Sequence, residues 1–299
     1  KTKKRRIAAI LLSCLFVVFA VCVPFIGIYI TGQCVPAQYT QTYYGALSGL
    51  YARLKNTKGK KIVVLGNSNV AFGVDSALAE DLLREAGMEY SVCNFGLYGA
   101  LGTKMMCELA YDRIKKDDVV IFTPELVAQS LSTYFSPEEA WYALDGDMSM
   151  YNDFPKETKG ALAAGYIGYT AKKLTLYEKG SPAAGSGVYA SSSFDKRGDL
   201  KNYARPHNIM PNGVDENNPI VFDGELFSAD FVSFINEYAE KLQNKGAQIY
   251  YSFAPMNAGA IAFEEIEKSA DFYRSIEEKL QFPVISDIED YMMEYEWFY

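Results

Sequence analysis

The strongest constraint on this chain is a run of 24 residues near its N-terminus without a charged side chain. Residues 7–30 contain no Asp, Glu, Lys or Arg, and residues 1–6 before them carry five basic side chains. As a helix, such a run extends about 36 Å, enough to cross the roughly 30 Å hydrocarbon core of a bilayer with some tilt. A helix also satisfies its own backbone hydrogen bonds, as lipid requires. We therefore predict one transmembrane anchor at residues 7–30.

The flanking charges predict the orientation of this anchor. Five basic residues directly precede the span, so residues 1–6 should stay in the cytoplasm and residues 31–299 should lie outside it. The rival interpretation is a cleaved signal peptide, but the apolar run is longer than a usual signal core and no clear small-residue cleavage site follows it. The residues before Cys34 also make a poor lipoprotein signal. We therefore expect a single-pass cell-membrane protein with an extracytoplasmic domain.

The composition of the predicted domain excludes some partners. Without the five N-terminal basic residues, 24 Lys and Arg remain against 37 Asp and Glu, a net charge of −13. So acidic a domain is not expected to bind nucleic acid. Its cysteines, Cys93 and Cys107, and the single histidine of the chain, His207, form no pattern with metal-ligand spacing. We expect no metal, no cofactor and no disulfide framework.

The chain after the anchor alternates between strand and helix patterns. Residues 37–56 carry apolar side chains at helical spacing, and we predict a juxtamembrane stalk helix within residues 31–59. The five predicted strands are Lys61–Leu65, Tyr90–Phe95, Val119–Thr123, Gln248–Ala254 and Val284–Ser286. The predicted helices lie at 75–86, 100–115, 228–244 and 261–280. Because such alternation gives parallel strands joined by right-handed crossovers, we predict that residues 60–299 form a three-layer α/β/α sandwich with a flavodoxin-like five-stranded parallel sheet.

A long insertion interrupts this alternation after the third strand, at about residues 130–225. It is rich in Pro, Gly, Ser and Asn around one predicted helix at 156–178. The tyrosines between Tyr166 and Tyr177 could line a groove for a glycan, although aromatic residues at helical spacing more often belong to a core. Both interpretations stay open at the level of the sequence.

The most distinctive segment follows the first strand. Gly66-Asn67-Ser68-Asn69 leads from that strand towards the next helix. A serine on such a tight turn has an exposed hydroxyl and nearby backbone N–H groups, which are what a nucleophile and its oxyanion need. The same residues also suit a simple helix-capping turn with Ser or Asn as the N-cap. A phosphate-binding loop is a weaker third alternative, because neither a Walker pattern nor a dinucleotide glycine pattern is present.

A second motif stands at the end of the next strand, where ligands of open parallel sheets bind. It reads Asn-x-Gly-x-x-Gly over Asn94–Gly99. With Gly66–Asn69, it resembles the first two sequence blocks of the SGNH (GDSL-like) hydrolase superfamily. The resemblance is to the membrane-anchored cell-envelope branch, which includes proteins of teichoic-acid D-alanylation and alginate-type acetylation. Two further segments, Ser193–Asp199 and Tyr251–Asn257, are similar to sequences from such proteins.

The resemblance covers roughly residues 60–299 and implies roles for particular residues. It implies that Ser68 is the nucleophile and that the backbone N–H of Gly99 stabilises the oxyanion. We place Asn69, which follows the nucleophile, among the candidate catalytic residues as well. The third block of the family does not match, because Thr123-Pro124-Glu125 stands where Gly-x-Asn-Asp would be. Glu125 could still face the site, although a solvent-facing glutamate is the more frequent arrangement at a strand end.

The resemblance also implies a histidine base, and serine is a poor nucleophile without one. The family supplies this base from a late Asp-x-x-His motif, and the present chain has none. We expect the chain to be incomplete, with this motif just beyond Tyr299, so that the chain as it stands would be nearly inactive. The rival is that His207 folds over from the insertion and acts as the base.

These observations predict a membrane-anchored extracytoplasmic serine esterase or acyltransferase. Its substrates would be acetyl or alanyl esters of an envelope polysaccharide or glycan. The alternative is a catalytically degenerate SGNH-like scaffold or binding protein, whose partners would be the proteins of an envelope-modification complex. An active base close to Ser68 would separate the two classes.

Overall fold

The computed structural model describes residues 2–97, 99–201 and 219–294. Its first element is helix α1, Thr2–Cys34, whose side chains are exposed along most of its length. Within it, Arg5–Cys34 reaches a mean hydropathy of 2.9 over its most apolar window, and none of that window is buried. This helix is therefore long and apolar enough to cross a membrane, and the predicted span at residues 7–30 falls inside it.

A four-stranded parallel sheet forms the centre of the domain. Its strands are β1 (Lys61–Gly66), β2 (Ser91–Gly96), β3 (Val119–Thr123) and β4 (Gln248–Tyr251). Their order is β2-β1-β3-β4. Gly66 is level with Gly96 on one side and with Thr123 on the other. The carboxyl ends of β1, β2 and β3 therefore meet at one edge of the sheet.

Helices connect and cover these strands, and most lie where the sequence predicts them. They are α2 (Ala46–Asn56), α3 (Ser68–Gly73), α4 (Ser76–Glu85), α5 (Thr103–Tyr111), α6 (Pro137–Leu144), α7 (Lys156–Glu178), α8 (Ala229–Asn244), α9 (Phe263–Ile266) and α10 (Ser269–Lys279). A separate parallel pair is formed by β5 (Met256–Asn257) and β6 (Met292–Met293). The side chains of Asp75 and Ser228 cap α4 and α8 at the predicted starts. Helix α6 was not predicted, although Ser136-Pro137 is a common helix start.

The fifth predicted strand, Val284–Ser286, does not form as a strand of this sheet. Val284 makes a single bridge to Tyr251 at the end of β4. The N–H of Ile285 donates to the Tyr251 carbonyl at 2.9 Å, and no ladder continues beyond it within the described residues. Ser286 then adopts a φ of +66°, which takes the chain out of the extended path. The described sheet therefore has four strands.

The predicted stalk helix belongs to the domain instead of standing apart from it. It is α2, and Leu47, Leu50, Tyr51 and Leu54 on one face are buried in the hydrophobic core. The same helical spacing that predicted the helix presents this apolar face to the domain. The chain therefore enters the folded core within about ten residues of the end of α1.

The tyrosines of α7 divide between the core and the surface. Tyr169 is fully buried and stacks against Trp141 at a centroid distance of 5.7 Å. Tyr166 is half-buried, and its ring meets Trp141 edge-on. Tyr177 is exposed. The interpretation as core residues therefore holds for Tyr169 and does not hold for the exposed Tyr177.

Candidate functional site

The site is built on the turn from β1 into α3. A Cβ atom added at Gly66 would lie 2.4 Å from the carbonyl oxygen of Thr123, and one added at Gly96 would lie 2.4 Å from the Cβ of Val70. The two glycines therefore let α3 pack directly onto the strand ends. This close approach sets Ser68, the first residue of α3, at the carboxyl edge of the sheet.

Ser68 and Glu125 face each other across this edge. The Ser68 hydroxyl donates a hydrogen bond to Oε1 of Glu125. The backbone N–H of Asn69 donates to the same oxygen at 3.0 Å. Glu125 is half-buried and follows β3, which neighbours β1 in the sheet. Of the two arrangements considered for Glu125, the structure has the one in which the carboxylate faces Ser68.

The two asparagines beside Ser68 hold the turn together. The Asn69 side chain donates to the Thr123 carbonyl at 2.9 Å and accepts the Asn67 N–H at 3.1 Å. Asn67 accepts the N–H of Glu125 at 3.4 Å, and it occupies the N-cap position of α3 without capping it through its side chain. The Glu125 carboxylate supplies that cap from another element. Asn69 is therefore a positioning residue, because its side chain binds backbone groups of the turn.

Gly99 stands beside the same network. It begins a short 3₁₀ turn, Gly99–Leu101, and Ser130 Oγ lies 4.0 Å from the position a Gly99 Cβ would take. Thr103 links the two motifs, because its hydroxyl donates to the Ser130 carbonyl at 2.6 Å and accepts from the Asn67 side chain at 3.4 Å. Within the described residues, neither the Ser68 N–H nor the Gly99 N–H has a hydrogen-bond partner. Neither amide is therefore committed to another acceptor in that part of the chain.

Three residues of this edge were not predicted as part of the site. Thr103 links the two motifs, as described above. Ser130 Oγ and Thr123 Oγ1 are both buried and have no hydrogen-bond partner within the part of the chain that the structure describes. Thr123 could have been found, because it ends a predicted strand next to β1. No local signal marks Ser130, which reaches the edge through the loop after β3.

The segment Ser193–Asp199 clamps the insertion onto the sheet rather than lining the site. The buried Asp199 carboxylate accepts the N–H and the hydroxyl of Ser76, both at 2.8 Å, and the side-chain amide of Asn94 at 3.3 Å. Gly198 has a φ of +88° and lies so close to Leu50 that a side chain there would clash. Burial raises the pKa of the Asp199 carboxyl, and the hydrogen bonds from Ser76 and Asn94 offset this only in part.

This raised pKa predicts how the contribution of Asp199 to stability changes with pH. The folded state holds the Asp199 proton at pH values where the unfolded chain has already lost it. The contribution of this group to the free energy of unfolding is therefore greatest below the ordinary pKa of 3.8 and falls as the pH rises through the folded pKa. Asp199→Asn cannot titrate, so the stability of the wild type relative to this variant should fall as the pH rises. Denaturant titrations of both proteins across the acid range measure this difference, and a difference that grows with pH would contradict it.

His207 lies outside the described residues, and so does residue 299. The described part of the site thus contains Ser68, Asn69, Glu125 and Gly99 on an α/β scaffold with a parallel sheet. No family model, no curated protein and no solved structure matches this chain.

Proposed function

We propose that this protein is a membrane-anchored serine esterase or acyltransferase that acts on acetyl or alanyl esters of an envelope polysaccharide or glycan. The proposal includes membership of the SGNH hydrolase superfamily and its flavodoxin-like three-layer fold. The observation that carries it is the hydrogen bond from the Ser68 hydroxyl to Glu125 at the carboxyl edge of a parallel sheet. A half-buried position at a strand-to-helix turn, with a proton acceptor in contact, suits a nucleophilic serine.

The chemistry would proceed in two balanced steps. Ser68 Oγ attacks the acyl carbonyl carbon as its proton passes to Glu125, and the amides of Ser68 and Gly99 stabilise the oxyanion. The carbon–oxygen bond to the sugar breaks, and Glu125 returns the proton to the leaving oxygen. Water or an acceptor hydroxyl then gives its proton to Glu125 and attacks the acyl-Ser68 ester. Glu125 then returns this proton to Ser68 Oγ as the acyl–Oγ bond breaks, which releases the acid or the transferred ester and restores the serine hydroxyl.

The proposed location rests on α1. With its basic end in the cytoplasm, residues 31–299 would lie outside the cytoplasm. Protease added to intact cells is therefore expected to remove the domain and leave α1 protected in the membrane, as blotting of an N-terminal and a C-terminal tag would show. Cleavage of the domain only after lysis would show that the orientation is the opposite one, with the domain in the cytoplasm.

The two hydrogen bonds that Glu125 accepts favour a second function. Its Oε1 already accepts both the Ser68 hydroxyl and the Asn69 N–H, as expected of a carboxylate that only caps α3. A carboxylate is also a weaker base than imidazole near neutral pH. In this alternative, the domain is a catalytically inactive scaffold or binding partner for envelope-modification proteins.

A serine-directed covalent probe separates the two functions. The full chain in detergent would be treated with a fluorophosphonate, digested and analysed by mass spectrometry, alongside hydrolysis of p-nitrophenyl acetate. An esterase is expected to carry the adduct on Ser68 and to lose ester hydrolysis as the adduct forms. A folded protein with no adduct and no hydrolysis above buffer would support the scaffold and reject the enzyme.

A further inference from the structure

The end of α1 is joined tightly to α7. A Cβ atom at Gly32 would lie 2.3 Å from the hydroxyl of Tyr166 and 2.7 Å from Oγ1 of Thr170, so any larger residue here would require these two side chains to move. The Tyr166 hydroxyl donates to the carbonyl of Tyr29 in α1 at 3.2 Å. The contact therefore includes backbone atoms of the last two turns of the apolar helix.

A buried ion pair holds this junction from the domain side. Lys173 of α7 donates to the carbonyl of Gly32 at 3.0 Å, where a helix C-terminus carries partial negative charge. The same ammonium lies 2.8 Å from the carboxylate of Asp145, and both side chains are almost fully buried. Asp145 also accepts the N–H groups of Gln38 and Tyr39, in the segment that follows α1. The C-terminal end of α1 is thus bound by Lys173 of α7, and the segment that follows α1 is bound by Asp145.

The length of α1 sets the depth of this junction. Arg5–Cys34 has 30 residues and a helical length of about 45 Å, which matches the roughly 40–45 Å of a bilayer with its headgroup layers. If Arg5 lies at the inner headgroups, Tyr29 and Gly32 lie at the outer ones. Tyrosine is favoured at that depth. Because α7 contacts α1 there, α7 lies at the same level.

Next to this contact, one side of α7 carries uncharged side chains, of which Ala163, Ile167 and Tyr177 are exposed and Leu174 is half-buried. At about 100° per residue, positions 163, 167, 170, 174 and 177 fall within one sector of roughly 80°. These residues are Ala163, Ile167, Thr170, Leu174 and Tyr177, and none is charged; Lys156 and Lys159, in the first turn of α7, fall in the same sector. Ile167 is 48% exposed and Tyr177 is 51% exposed. Thr170 is buried against Gly32, so the exposed side chains on this side of α7 flank the contact with the apolar helix.

We propose that α7 lies in the outer headgroup region of the membrane, with the exposed side chains of Ala163, Ile167 and Tyr177 against lipid. The occupant of this surface is the bilayer interface, because the surface adjoins α1 at headgroup depth and offers aliphatic and aromatic side chains. The inference needs α1 to span the membrane, and it is independent of any catalytic activity. It means that the domain is held against the membrane in one orientation.

Depth-dependent fluorescence quenching of the full chain in nanodiscs tests this. Fluorophores are attached to Ile167→Cys or Tyr177→Cys, in a background where the three exposed cysteines of α1 are replaced by alanine. The matched reference is Leu78→Cys on α4, an apolar residue that is 56% exposed and outside this surface. A label at Phe16→Cys reports whether α1 is inserted. Quenching by lipid that carries a nitroxide at its headgroup is compared with quenching by a water-soluble nitroxide.

The labels at positions 167 and 177 are expected to show a ratio of lipid to aqueous quenching about twofold or more above that of position 78. Equal ratios at 167, 177 and 78, with the label at position 16 shielded from the aqueous quencher, would overturn the proposal for α7 alone. A label at position 16 open to the aqueous quencher would show that α1 does not span the bilayer, and both the anchor and this proposal would fall.

Discussion

Replacing Ser68 by alanine is expected to lower the rate of ester hydrolysis by about 10³-fold or more. The change removes the only oxygen that the proposed reaction acylates. It also removes a single hydrogen bond at a half-buried position, so the free energy of unfolding should change by about 1 kcal/mol or less. Initial rates on p-nitrophenyl acetate, with melting curves of the same preparations, measure both effects.

Two further variants make this result specific. Ser181→Ala, at an exposed position after α7, should leave the rate unchanged. Glu125→Gln keeps an oxygen for the Ser68 hydroxyl and the Asn69 N–H but cannot take a proton. It should therefore cost about 10²-fold or more in rate with little loss of stability. If Ser68→Ala keeps the wild-type rate, Ser68 is not the nucleophile. If Glu125→Gln keeps it, Glu125 is only a cap and the base lies elsewhere.

Replacing Asp145 by alanine is expected to lower the free energy of unfolding by about 4 kcal/mol or more. The carboxylate is buried and accepts the hydroxyl of Tyr169 at 2.5 Å, together with the two backbone N–H groups of residues 38 and 39. It also neutralises the buried ammonium of Lys173. Removing it leaves a buried charge without a counterion and three donors without an acceptor, which is among the largest costs of a single substitution.

Asp147 provides the matched control, because it lies two residues away and accepts a single N–H, from Ser149. Asp147→Ala should cost about 1 kcal/mol or less. Urea titration of the full chain in detergent, followed by the fluorescence of Trp141 beside Tyr169, reports unfolding near the site of change. A cost for Asp145→Ala no greater than that for Asp147→Ala would show that the ion pair with Lys173 contributes little.

Much of the fold could be predicted because its signals are local. The uncharged run predicts a helix with the hydropathy of a membrane span, and the structure has one over Arg5–Cys34. The strand β3 has the predicted bounds, Val119–Thr123. Asp75 and Ser228 mark helix starts, because an N-cap bonds to a backbone N–H only three residues away. None of these features depends on which distant segments come together.

The predictions that failed depend on distant contacts. Val284–Ser286 has the composition of a strand, but pairing it with β4 needs an extended partner edge, and β4 ends at Tyr251. The stalk prediction identified an amphipathic helix, but the apolar face of α2 packs into the domain core. Periodicity specifies which face is apolar, whereas the partner that covers that face is set by the rest of the chain.

The sequence by itself determined the long apolar helix, the parallel α/β class and the serine at the end of β1, because each follows from residues within one turn, helix or strand. Only the tertiary structure decided that Glu125 meets Ser68. The two residues are 57 positions apart, and they come together because β3 pairs with β1 while β2 occupies the other side. Register between strands, and contacts such as Gly32 with Tyr166, are set by packing over the whole chain and leave no pattern in the local sequence.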